Sequence, residues 1–153
     1  MTLKIINKKN IRQLSIRKKT ASRICAVQVL YETSFCLNNT DFIIKSYFEN
    51  YLHTILLDLN IKNIDEDLFY SIIKGVDENN LKIDEIITEN LSEKWSIERL
   101  SKTEISVFRL AVYELCYKLM FSKTTVINEY ISIFEAFGGN TDFANGILEN
   151  ISQ

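Results

Sequence analysis

The side chains best suited to chemistry with a partner are cationic and stand together near the start of the chain. Lys4, Lys8, Lys9, Arg12, Arg17, Lys18, Lys19 and Arg23 fall within the first 23 residues, and no acidic residue precedes Glu32. Over all 153 residues there are 18 Lys and Arg against 20 Asp and Glu. The 130 residues after Arg23 therefore carry ten basic and 20 acidic side chains, a net of −10. Segregation of sign on this scale describes a basic arm for a polyanion attached to an acidic body. From Ile24 the sequence turns apolar with helical spacing, so the last of these cations lie at a helix N-terminus. That is the wrong sign for the helix macrodipole and costs up to about 1 kcal/mol per well-placed charge. Helix stability does not account for Arg17, Lys18, Lys19 and Arg23. An anionic partner does, because the free amides of a first helical turn bind phosphate and the cations add to that field. On charge alone nucleic acid is favoured; a solvated tail, an anionic membrane and an acidic protein surface are the alternatives.

Bond-making chemistry has little to work with. His53 is the single histidine, which excludes a His-pair metal motif. "FGGN" at 137–140 follows no strand and matches neither GxGxxG nor GxxxxGK, so it is no phosphate loop. Asp65, Glu66 and Asp67 are charges that complement a helix start. No catalytic residue, metal ligand or cofactor is expected. Cys25, Cys36 and Cys116 form no CxxC. On a continuous helix Cys25 and Cys36 would be about 16 Å apart, too far for a disulfide. They are read as reduced thiols of a cytoplasmic protein, small hydrophobes rather than nucleophiles. No 18-residue apolar run spans a membrane and no secretory signal core is present. A transit peptide is disfavoured because the basic stretch runs straight into an apolar helix.

The elements that must position the cations are helices. There is no proline and only four glycines, and apolar residues recur at helical spacing almost throughout. Seven helices are expected. The first carries Ile24, Val27, Leu30, Tyr31 and Phe35. The second carries Phe42, Tyr47, Phe48, Tyr51, Leu52, Ile55 and Leu56. A third, capped by Asp65, presents Leu68, Phe69, Ile72, Ile73 and Val76, and a shorter fourth presents Leu81, Ile86, Ile87 and Leu91. "SKTE" at 101–104 is a capping box ahead of Ile105, Phe108, Ala111, Val112, Leu115 and Leu119. The sixth runs from Val126 to Phe137 and stops at Gly138–Gly139; the seventh holds Phe143, Ile147, Leu148 and Ile151. The outcome is an all-α fold, with residues 1–18 a mobile basic arm, residues 19–153 one helical domain, and a soft point near 57–64.

Three segments resemble known ones. "KKTASRICAVQVLYE" is similar to the opening R-R-x-x-A-R-x-x-A-x-Q-x-L-Y signature of the NusB family of bacterial transcription antitermination factors. "WSIERLSKTEISVFRLAVYEL" at 95–115 resembles that family's W-S-x-E-R-L…L-R-x-A-x-Y-E-L block. "VINEYISIFEAFGG…FANGIL" resembles its V-x-I-N-E-A-x-x-L-A-K-x-F-G…F-V-N-G-x-L end. The likeness covers residues 17–152 in the family's order. The sequence departs from it in lacking the Pro before "VINE", in a link at "FGGNTDFANG" about two residues shorter than in some members, and in Asp142, where a basic residue can occur. Residues 1–15 extend beyond the usual start.

The resemblance implies a fold of two packed antiparallel helical bundles. It implies binding of boxA-type single-stranded RNA from ribosomal RNA operon leaders, together with the ribosomal protein NusE. Other Nus factors would link the pair to RNA polymerase. Homodimerisation is a further option, since some members self-associate. By match to the signatures, Lys19 and Arg23 correspond to arginines of the RNA-binding arm, with Arg17 and Lys18 beside them. Tyr31, Phe143 and Glu98 complete the implied set. The cations would hold phosphates, Tyr31 or Phe143 would stack on an unpaired base, and Glu98 would accept from base amino groups. For Tyr31 and Phe143 a core position is the alternative. Asn145 and Gly146 are expected to shape the last helix, and Arg109 and Glu114 to form an internal polar network. The N-terminal domains of some ribosomal RNA cytosine methyltransferases share the fold, but no methyltransferase domain follows here. The alternatives to an antitermination factor are a ribosome-assembly factor on the same RNA and a protein-interaction module whose arm binds an acidic partner.

Overall fold

The computed structural model describes residues 17–151, and all regular structure among them is helical. The helices are α1 (Lys18–Thr33), α2 (Thr40–Asn50), α3 (Leu52–Leu59), α4 (Glu66–Asn90), α5 (Lys102–Cys116), α6 (Lys123–Ala136) and α7 (Thr141–Asn150), with one 3₁₀ turn at Ile97–Arg99. α1 packs against α2, α3, α4 and α5, while α5 packs against α4, α6 and α7. The α1–α4 group and the α5–α7 group thus meet along α1, α4 and α5. The central helices are the apolar ones: Ile24, Ala26, Val27 and Val29 on α1 and Val107, Phe108, Leu110, Ala111 and Val112 on α5 are all fully buried.

The number seven conceals two exchanges. The expected second helix is broken at Tyr51 (φ −127°, ψ −32°) into α2 and α3. Just before the break, the Asn50 side chain donates to the Ser46 carbonyl at 2.9 Å, which favours termination over continuation. The expected third and fourth helices are instead one, α4, kinked at Asn79 (φ −123°, ψ 18°). Asn79 Nδ2 donates at 2.8 Å to the Gly75 carbonyl, the group its own amide would bond in a straight helix. One residue bends; the helix does not end.

Helix starts follow the chemistry of their first residues. Side-chain oxygens of Asn39, Asp65, Ser101, Ser122 and Asn140 accept from backbone amides of α2, α4, α5, α6 and α7. The capping box is complete: Glu104 N–H donates to Ser101 Oγ at 3.0 Å and Ser101 N–H to Glu104 Oε1 at 2.8 Å. α1 starts instead at Arg17, with no side-chain cap and no acidic residue in its first turn.

Four expected core residues lie outside the core. Phe35 and Leu119 fall beyond the ends of α1 and α5, while Phe42 and Leu81 face solvent from within α2 and α4. The three cysteines are free thiols. Cys25 is a core hydrophobe whose burial pushes its pKa up to about 12, whereas Cys36 and Cys116 are half-buried. His53 is exposed on α3. Gly75 lies where α4 faces α5: a Cβ there would sit 1.8 Å from the Tyr113 ring, so the ring packs directly on the glycine and would have to shift for any larger residue.

Candidate nucleic-acid interface

At the N-terminal end of α1, Arg17, Lys18 and Lys19 are exposed on consecutive residues. Lys19 Nζ lies 3.2 Å from Asp65 Oδ2, and both side chains remain open to water. Asp65 also caps α4 through the Leu68 amide, and that bond together with Lys19 holds its pKa below the usual carboxylate range. A cleft of about 280 Å³ beside them is lined by Lys19, Asp65, Asp67, Lys118, Met120 and Phe121. The uncapped amides of α1 and three solvated cations make this end an anion-attracting surface. The remaining cations expected in the arm, from Lys4 to Arg12, lie outside the described residues.

Arg23, one turn further along, has a different fate. It is 1% exposed. Its Nε and Nη2 donate to the two carboxylate oxygens of fully buried Glu114 at 2.7 and 2.9 Å, and Nη1 reaches Glu129 at 3.3 Å. Its guanidinium carbon is 5.1 Å from the Phe121 ring centroid and 5.9 Å from that of Tyr130. Tyr130 hydroxyl donates to Glu114, and Thr20 Oγ1 donates to Glu129 at 3.0 Å. Burial opposes the charge of Arg23, but Glu114 more than offsets it and the pKa moves upward. Burial, then the charge of Glu114, pushes the Tyr130 phenol well up. With its fork occupied by carboxylate and its surface enclosed, Arg23 has no face left for phosphate. It belongs to the internal network expected for Glu114. Arg109 is separate, paired in bidentate fashion with Asp84 at 2.8 and 2.9 Å on a half-exposed surface.

The aromatic candidates sit toward the other end of α1. Tyr31 is about 18 Å along the helix from Lys19 at 1.5 Å per residue. It is half-buried, with its ring centroid 5.0 Å from that of Phe35 and the planes at 62°. Both line a groove of about 460 Å³ with Lys102, Phe137, Gly138 and Asn140. Gly138 adopts φ +86°, a left-handed turn that lets the chain pass from α6 to the Asn140 cap of α7. Phe143 opens α7 and is half-buried, its centroid 5.2 Å from Trp95 and 6.0 Å from buried Phe108. Glu98 is exposed on the 3₁₀ turn. Next to it, Arg99 lies 5.1 Å over Trp95 and donates to the Lys94 carbonyl at 2.5 Å.

The structure therefore gathers Arg17, Lys18 and Lys19 at one end of α1, and Tyr31 with Phe35 at the other. Phe143 packs beside Trp95, Glu98 is exposed on the 3₁₀ turn that follows it, and Arg23 is removed to the interior. Sequence reasoning passes over Lys102 and Asn140 and assigns Phe35 and Phe137 to the core. The four-residue spacing of Tyr31 and Phe35 is the signal that they meet. Among the described residues no His, Cys, Asp or Glu cluster could hold a metal, and no helix is long and apolar enough to cross a membrane.

Comparison with known proteins agrees with this architecture. The chain is 31% identical over 140 residues to the transcription antitermination protein NusB of Caulobacter vibrioides, covering 90% of this chain and 94% of that protein. It is 32% identical over 132 residues to the NusB of Clostridium botulinum strain Alaska E43, covering 85% and 94%. Among solved structures, NusB of T. maritima superposes with a TM-score of 0.70 at 29% identity, covering 90% of this chain and 92% of that one. A structure of NusB and NusE in complex with double-stranded RNA gives a TM-score of 0.69 at 24% identity, covering 86% and 93%, which speaks to the fold. The NusB family model matches residues 20–153, and the chain belongs to the NusB family.

Proposed function

We propose that this protein is a non-enzymatic RNA-binding factor of transcription antitermination. In this reading it acts in the cytoplasm and holds boxA-type single-stranded RNA of ribosomal RNA operon leaders jointly with NusE. Other Nus factors connect that assembly to RNA polymerase. The observation that carries the reading is the exposed Arg17–Lys18–Lys19 rim on the uncapped start of α1. A structure that holds a NusB of this fold together with NusE and double-stranded RNA supports RNA and NusE as the partners. In this reading residues 1–18 act as a basic arm on the domain that begins at Lys19.

Phosphate neutralisation at the rim and arm supplies the salt-dependent part of the affinity. Base contacts come from the aromatic end, where Tyr31 offers a ring and a hydroxyl. Phe143 contributes at the edge of Trp95, and Glu98 accepts hydrogen bonds from base amino groups. Arg23 supports the site from inside, by anchoring α1 to α5 and α6. A fluorescence titration with boxA-type RNA, with and without NusE, tests the reading. RNA should bind more tightly with NusE present, with log affinity falling against log salt at a slope of about −3 to −4 for five neutralised phosphates. No RNA affinity in either mixture would overturn it.

A further inference from the structure

Phe35 and Lys102 stand at the groove at the far end of α1 from the cationic rim, and neither has a structural employment that explains its position. Phe35 lies just past the C-terminal residue of α1 and is 60% exposed. A phenyl ring on open surface gains little from burial, and its contact with Tyr31 is an edge-on one that leaves ring surface free. Lys102 is exposed at the first turn of α5 and makes no ion pair among the described residues. Among the described residues it is the one cation that lines the groove. The groove's carboxylate, Glu104, is committed to the Ser101 amide in the capping box. Asn140 accepts the Phe143 amide through Oδ1, so its Nδ2 donor remains available on the groove. An open aromatic ring, an unpaired cation and an amide donor around a cleft of about 460 Å³ are the groups that a single unpaired nucleotide engages.

Building on the RNA reading above, we propose that Phe35 and Lys102 form a nucleotide subsite beyond Tyr31. Phe35 stacks on an unpaired base, and Lys102 holds the phosphate next to it. The occupant is the same RNA strand, continued past the half-buried tyrosine. Stacking has no charge and phosphate binding does, so the two residues separate by their salt dependence.

The test uses the full chain with NusE and boxA-type RNA at several salt concentrations. Phe35→Ala should weaken RNA binding about five- to 150-fold with the salt slope unchanged, the range that base–aromatic stacking supports. Phe35→Leu keeps apolar bulk without the ring and should recover little of the loss, whereas Phe35→Trp should bind as well as the parent or better. Lys102→Ala should make the slope shallower by about 0.7. NusE binding should be unaffected in all four variants. Parent-like RNA affinity in both Phe35→Ala and Phe35→Leu would overturn the subsite while leaving the RNA reading intact. Loss of NusE binding in Phe35→Ala at unchanged RNA affinity would make Phe35 a protein contact and also overturn it. A parent chain that binds no RNA would sink the functional reading itself, and the subsite with it.

Discussion

Lys19 and Arg23 are one helical turn apart on α1, carry the same charge and match the same sequence signature, yet they occupy opposite environments. Lys19 is half-open to water beside Asp65 at 3.2 Å, and Arg23 is enclosed among Glu114, Glu129, Phe121 and Tyr130. The rim holds charge that water already solvates, so displacing that water for a phosphate costs little. The interior holds charge that only Glu114 and its neighbours stabilise. A run of basic residues thus divides into two environments: in the proposed reading the exposed ones meet the partner, while the buried one ties α1 to α5 and α6. Residue type explains part of the division. A planar guanidinium fills both carboxylate oxygens of Glu114 at once, which a lysine ammonium cannot do.

The largest effect should come from breaking the interior pair. Arg23→Ala leaves Glu114 buried without its counter-ion and should destabilise the fold by about 3–5 kcal/mol, read by urea denaturation. Arg23→Lys should recover only part of this. A loss below about 1 kcal/mol would show that the network is not what holds α1 to α5. Any weakening of RNA binding by Arg23→Ala should disappear when only the folded fraction is counted.

Phe143 ranks next, because its ring is shared between Phe108 in the core and Trp95 at the surface. Full removal of a buried phenylalanine costs about 3–5 kcal/mol, so this half-buried one should cost about 2 kcal/mol on change to alanine. The helical circular dichroism should persist at room temperature while the denaturation midpoint falls. An unchanged midpoint would make Phe143 a free stacking surface with no share in the core.

Smaller again is the rim pair. Lys19→Ala removes one exposed ion pair and should change stability by at most about 1 kcal/mol, with the remainder vanishing in high salt. Asp65→Ala should cost about as much or more, because it also uncaps α4. A salt-insensitive loss in Lys19→Ala would place that lysine with Arg23 rather than with the rim.

How far the sequence reveals this division is instructive at particular residues. Periodicity finds the apolar stretches that become α-helices but not how they are divided, while Asp65, Ser101 and Glu104 mark two starts that the structure confirms bond by bond. What periodicity does not carry is the behaviour of asparagine side chains. Asn50 ends one helix and Asn79 bends another through bonds to carbonyls four residues back. Nor does a charge pattern record which cation finds a buried partner 91 residues away, as Arg23 does in Glu114. Tyr31 and Phe35 are legible as a pair, but their exposure depends on where α1 stops. That end lies at Thr33, short of Phe35.

The central claim is that the exposed rim meets RNA phosphates while the buried arginine serves the fold. It is tested most directly by replacing Arg17, Lys18 and Lys19 together with alanine and measuring RNA affinity against salt in the presence of NusE. Stability should stay within about 1 kcal/mol of the parent, the limit set by the exposed Lys19–Asp65 pair. The salt slope should become shallower by about 2, at roughly 0.7 for each phosphate that is no longer neutralised. A parent-like slope in the triple variant would contradict the account, because the phosphates would then be held elsewhere.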